Sequence, residues 1–113
     1  MADAEELYDQ AVDAYADEKY ADALELYRKA LEIDPEFSDA VHGMVMCYQA
    51  MGDMDGAIDL TRKQIEKNPE DILAHTNLSM FYMKKGMIKE AEHAGAEARR
   101  LDWKRQLKEG KKP

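Results

Sequence analysis

Ala23-Leu24-Glu25-Leu26-Tyr27-Arg28-Lys29-Ala30-Leu31-Glu32-Ile33-Asp34-Pro35-Glu36 returns 34 residues later as Ala57-Ile58-Asp59-Leu60-Thr61-Arg62-Lys63-Gln64-Ile65-Glu66-Lys67-Asn68-Pro69-Glu70. Ala23/Ala57, Leu26/Leu60, Arg28/Arg62, Lys29/Lys63, Glu32/Glu66, Pro35/Pro69 and Glu36/Glu70 are identical, and Ala91 with Ala98 continue the series into a third copy. Such a fixed period signals units that cannot bury their apolar faces alone and stack on one another. Within the stretch Ala23, Leu24, Tyr27, Ala30 and Leu31 recur at helical spacing. Asp34-Pro35 ends that helix, because the residue before proline disfavours helical dihedrals.

Working outward, Leu7, Ala11 and Ala14 mark a helix over Asp3–Ala16, its acidic start matching the helix dipole, and Asp17-Glu18-Lys19 turns the chain into a second helix, Tyr20–Ile33. The next pair reads as Ser38–Met51 and Met54–Lys67, broken by Gly52-Asp53 and closed by Asn68-Pro69. A third pair follows at Asp71–Lys84 and Ile88–Leu101. Gly52 and Gly86 suit the left-handed conformation common at helix ends. Trp103 stands where a third exit proline is expected, so Arg99 to Lys108 reads as a capping helix, either continuous or kinked near Asp102, with Trp103 and Leu107 packed back over the last pair. Arg99, Arg100, Lys104, Arg105 and Lys108 then face solvent, and Gly110 to Pro113 forms a mobile basic tail.

Period and residues together resemble the tetratricopeptide repeat, from Ala4 to about Asp102. Leu7, Ala11, Tyr20, Ala23, Tyr27, Ala30 and Pro35 carry the match in repeat one (residues 4–37). Tyr48, Gly52, Ala57 and Pro69 carry it in repeat two (38–71), and Leu78, Tyr82, Gly86, Ala91 and Ala98 in repeat three (72–102). The resemblance implies one all-α domain, a right-handed superhelix of three helix–turn–helix pairs, with residues 103–113 as capping helix and tail. Val45 and Gln64 depart from the family's small residues, and Gly95 replaces the aromatic that Tyr27 supplies. Bulk at the first two sites is expected to splay a helix crossing or to demand a buried partner for Gln64.

A net charge of −8 argues against a phosphate-tracking surface, so no nucleic-acid partner is expected. The charge is polarised: residues 1–36 hold 12 acidic and 3 basic side chains, and residues 99–113 hold 7 basic and 2 acidic. No segment approaches the ~20 apolar residues of a membrane span, and the acidic N-terminus is neither a secretory signal nor a transit peptide. Single Cys47 allows no intramolecular disulfide and fits a reducing compartment, which makes the cytoplasm the expected location.

In the family, the first helix of each repeat lines the concave face, where extended or helical peptides bind. Matching positions gives Glu5, Tyr8, Val12 and Tyr15; then Asp39, His42, Met46 and Gln49; then Leu73, Thr76, Asn77, Met80 and Met83. The peptide-binding set is Tyr8, Val12, Tyr15, His42, Met46, Gln49, Leu73, Thr76, Asn77, Met80 and Met83. These recur at three- or four-residue steps and form a largely neutral, apolar face on which methionine can repack around varied ligands. The resemblance does not extend to the carboxylate clamp of chaperone-binding relatives: Tyr8, Val12, Gly43, Leu73 and Asn77 occupy its sites, so a bound carboxylate meets no cation. His42 and Met46 lie one turn apart beside Cys47, but Cys47 points to another face and His75 and His93 share no ligand spacing with them, so no metal and no cofactor are expected. No phosphate-cradling loop or nucleophile motif appears. The expected function is therefore a non-enzymatic adaptor holding an apolar segment of another protein. The alternative is homo-oligomerisation through the same face and the oppositely charged ends.

Overall fold

The computed structural model describes residues 2–110, so the tail from Lys111 to Pro113 lies outside the described residues. Among the described residues there are six α-helices and no strand: α1 (Ala4–Ala16), α2 (Tyr20–Ile33), α3 (Ser38–Ala50), α4 (Met54–Lys67), α5 (Ile72–Lys84) and α6 (Ile88–Lys108). Five of the six bounds fall within a residue of those read from the repeat. The exception is α6, which runs unbroken through Asp102 for 21 residues, so the expected capping segment is its own last two turns.

The turns repeat as faithfully as the helices. Lys19, Asp53 and Met87, each 34 residues apart, donate their backbone N–H to the carbonyls of Ala14, Tyr48 and Tyr82 at 2.9, 2.8 and 2.9 Å. This is the six-to-one hydrogen bond that closes a helix through a left-handed residue. Gly52 and Gly86 fill that left-handed position at φ 77° as expected, but in the first turn it falls to Glu18, at φ 61°. At the exits, the side chains of Asp34 and Asn68 accept from the backbone N–H of Glu36 and Glu70 at 3.1 and 3.4 Å. Asp3 and Asp71 cap α1 and α5 by accepting from the N–H groups of Glu6 and Ala74 at 2.8 and 3.1 Å.

The chain forms two compact units, one ending at Ala57 and one starting at Ile58. In the first, α1 and α2 make an antiparallel pair on which α3 packs, mainly against α2. Fully buried Ala11, Ala23, Ala30 and Ala40 let the helices approach, and aromatic rings fill the space beside them. Tyr8 sits 5.7 Å from Tyr27 and 5.1 Å from Phe37, ring centroid to centroid, tying together α1, α2 and the entry to α3. The Tyr27 ring lies on Gly43 of α3 so closely that a Cβ there would stand 2.4 Å from Cζ. In the second unit α5 and α6 form a pair around Phe81, Leu78, Ala91, Ala94, Ala98 and Leu101. His75 is buried there, its ring Nε2–H donating to the Pro69 carbonyl at 2.9 Å, and Ser79 Oγ donates to the Ala91 carbonyl at 2.7 Å.

Two expectations change. Trp103 and Leu107 do not pack back over the pair: they are 51% and 57% exposed. In an unbroken helix Trp103 stands about 200° around the axis from buried Leu101, so continuity itself turns the indole outward. Val45 is buried in the core, 2% exposed, and the half-buried Gln64 has no hydrogen bond to its side-chain amide among the described residues, only its carbonyl accepting from the Asn68 N–H at 2.9 Å. Among the described residues, a buried polar side-chain atom without a hydrogen-bond partner is instead the Thr61 hydroxyl. The basic side chains of α6 do reach solvent, where Lys104 pairs with Glu70 at 2.8 Å and Arg105 with Asp102 at 2.7 Å.

A left-handed conformation costs an ordinary L-residue about 1–2 kcal/mol. Replacing Glu18 by Gly, as in the two sister turns, is expected to stabilise the chain by about 1 kcal/mol in urea unfolding. No gain, or a loss, would show that the Glu18 side chain offsets its backbone strain.

Candidate functional site

On α1, Val12 is exposed while Tyr8 and Tyr15 are half-buried. Tyr8 belongs to the ring cluster, and Tyr15 meets Tyr20 edge-on at 5.1 Å across the turn, so both serve the packing of the unit as well as its surface. On α3, His42 and Met46 are exposed and Gln49 is half-buried, whereas Cys47 is buried on the opposite side. On α5, Leu73, Thr76, Met80 and Met83 are exposed and Asn77 is half-buried. Val12, Met46 and Met80 occupy one register position, 34 residues apart, and are 41%, 39% and 40% exposed. The first helix of each repeat thus carries an apolar side chain at the same place, held out by a helix whose other side is core.

The structure brings Thr76, Met80 and Met83 of α5 together with Gly95, Ala98 and Arg99 of α6 around an open cleft of about 700 Å³. Ser79 and Lys84 also line it. Gly95 and Arg99 were not among the site residues read from the sequence. The signal for them was the missing aromatic at position 95, which removes the side chain that would have filled the cleft from below. Arg99 folds over this gap, its Nη1 3.4 Å from the place a Cβ on Gly95 would take, and neither Arg99 nor Lys84 has an ion-pair partner among the described residues.

Burial pushes the Cys47 thiol up to about 11 and the Tyr27 hydroxyl up to about 12. Both stay protonated at neutral pH, and Cys47 acts as a small apolar core residue. Glu70 is held below the usual carboxylate range by its hydrogen bond and charge interaction with Lys104, on the exposed surface.

The family described as tetratricopeptide repeat matches residues 14–76. The chain belongs to the tetratricopeptide repeat family. Over 86 residues it is 33% identical to the photosystem I assembly protein Ycf3 of Synechococcus sp. (strain CC9605), a match taking in 74% of this chain and 50% of that protein. The chain thus spans about half the length of the curated Ycf3 relatives it matches. Among solved structures, MamA superposes with a TM-score of 0.84 at 24% identity, covering 93% of this chain and 61% of MamA, which establishes the all-α repeat fold. The Yersinia enterocolitica type III secretion chaperone SycD, in complex with a peptide of the translocator YopD, gives 0.76 at 25% identity, covering 93% of this chain and 84% of SycD. No described helix of this tetratricopeptide repeat chain is long and apolar enough to cross a membrane.

The buried, protonated thiol has a direct test. Ellman's reagent is expected to leave native Cys47 unmodified at about pH 8 and to titrate one thiol per chain after unfolding in guanidinium. Rapid reaction in the native state would place Cys47 at the surface.

Proposed function

We propose that this tetratricopeptide repeat chain is a non-enzymatic, cytoplasmic adaptor that holds an apolar or amphipathic segment of another protein against the first-helix faces of its repeats. The observation that carries the reading is the in-register exposure of Val12, Met46 and Met80. An apolar side chain held in water at the same register in successive repeats is a surface available for burial by a ligand. Leu73 and Met83 extend it on α5, and His42 and Gln49 supply hydrogen-bonding groups on α3. No lysine or arginine stands among these positions, which favours side-chain recognition over capture of a terminal carboxylate. The peptide-bound SycD relative supports the same class of function.

The outward-facing Trp103 and Leu107 favour a second reading, association between copies of this chain, since exposed aromatic side chains flanked by arginine are frequent interface anchors. Light scattering across a concentration series separates the two. A monomer supports the adaptor reading, and a dimer that dissociates on Trp103→Ala supports assembly.

For the adaptor reading, peptides selected from a displayed helical library against the wild-type chain serve as probes. Burying one methionine contributes on the order of 1.5–3 kcal/mol, so Met46→Glu and Met80→Glu are each expected to weaken selected peptides by about tenfold or more. Amidating the peptide C-terminus is expected to leave Kd unchanged. Affinity that survives both substitutions, or that collapses on amidation, contradicts the reading.

A further inference from the structure

The cleft between α5 and α6 has a filled counterpart within the same chain. Its lining residues Thr76, Ser79, Gly95 and Ala98 are the 68-residue register partners of Tyr8, Ala11, Tyr27 and Ala30. In the first unit that surface is covered by α3, with Tyr8 against Phe37 and the Tyr27 ring pressed on Gly43. The two surfaces have the same helical framework, but in the second the floor has lost its large rings.

Bulk is redistributed along the register. Tyr27 meets Gly43; one repeat on, the register pairs Thr61 with Asn77; a further repeat on, the floor is Gly95. As the residue on the second helix shrinks, the residue on the following first helix grows, as close packing at a helix crossing demands. We propose that the α5–α6 cleft is a docking site for an amphipathic helix of a partner protein, seated as α3 sits on α1 and α2. At the position of Gly43 this helix carries a large apolar side chain that fills the space above Gly95. Lys84 and Arg99, neither with an ion-pair partner among the described residues, also line the cleft, so the partner helix has carboxylates beside its apolar residue, one of which draws the Arg99 guanidinium off Gly95. The site rests on the reading of the chain as an interaction module and adds to it an end-on helix site, which shares Thr76, Met80 and Met83 with the first-helix stripe but not Val12 or Met46.

The probes are two fluorescent synthetic peptides of residues 36–52 of this chain, one native and one with Gly43→Phe, titrated by anisotropy. The expected result is that the Gly43→Phe peptide binds at least about tenfold more tightly than the native one. The double variant Ser79→Ala/Gly95→Tyr rebuilds the Ala11/Tyr27 floor and is expected to reverse that order. Amide shifts at Ser79 and Gly95 in the unaltered protein on adding the Gly43→Phe peptide provide a readout that needs no variant. Equal binding of the two peptides, no saturation at about 1 mM, or shifts that leave Ser79 and Gly95 unmoved would overturn the site. Self-association abolished by Ser79→Ala/Gly95→Tyr would overturn it too, since a second copy would then be the occupant. Met46→Glu is expected to spare this peptide, so failure of the first-helix stripe and failure of this cleft are told apart.

Discussion

The contact between the Tyr27 ring and Gly43 sets the spacing on which the first unit depends. With no Cβ at position 43 the ring can lie flat against α3, and the fully buried alanines of α1 and α2 bring their axes close enough to hold the ring in place. Tyr8 then packs against it and Phe37 against Tyr8, so one ring cluster organises α1, α2 and the start of α3. A larger residue at 43 would have to push α3 away, since densely packed interiors have no spare volume.

Around this crossing the backbone is built by repetition. The six-to-one turn bonds at Lys19, Asp53 and Met87, and the Asx-type bonds at Asp34 and Asn68, place each helix end at the same point in its unit. That regularity is what keeps Val12, Met46 and Met80 in register and equally exposed. Where the punctuation lapses, the structure changes: without a third exit proline α6 runs on through Asp102, and its last turns project Trp103, Leu107 and a basic face into solvent.

Helix positions were legible in the sequence because breakers and periodicity act locally: Pro35, Pro69, Gly52 and Gly86 each carry their own conformational reason. The left-handed Glu18 was not anticipated, although it lies 34 residues before Gly52, because a glutamate gives no sign of that backbone state. Trp103 was misread for a different reason. Its apolar character suggested burial, but its angular distance from Leu101 in an unbroken helix decides its exposure. The first-helix side chains were readable from their spacing, while the roles of Gly43, Gly95 and Arg99 were not. Those depend on which residue faces which across a crossing, and only the pairing of Tyr27 with Gly43 makes the rule visible.

The central claim is that the combined bulk at this crossing, rather than either residue alone, is what the fold conserves. A double-mutant cycle in urea tests it most directly, using Tyr27→Thr, Gly43→Asn and the pair together, which transplants the Thr61 and Asn77 combination into the first unit. Tyr27→Thr leaves a cavity and Gly43→Asn forces a clash, so each alone is expected to destabilise by about 2 kcal/mol or more. Together they are expected to recover at least about 1 kcal/mol relative to the sum. Strict additivity of the two losses would contradict the account.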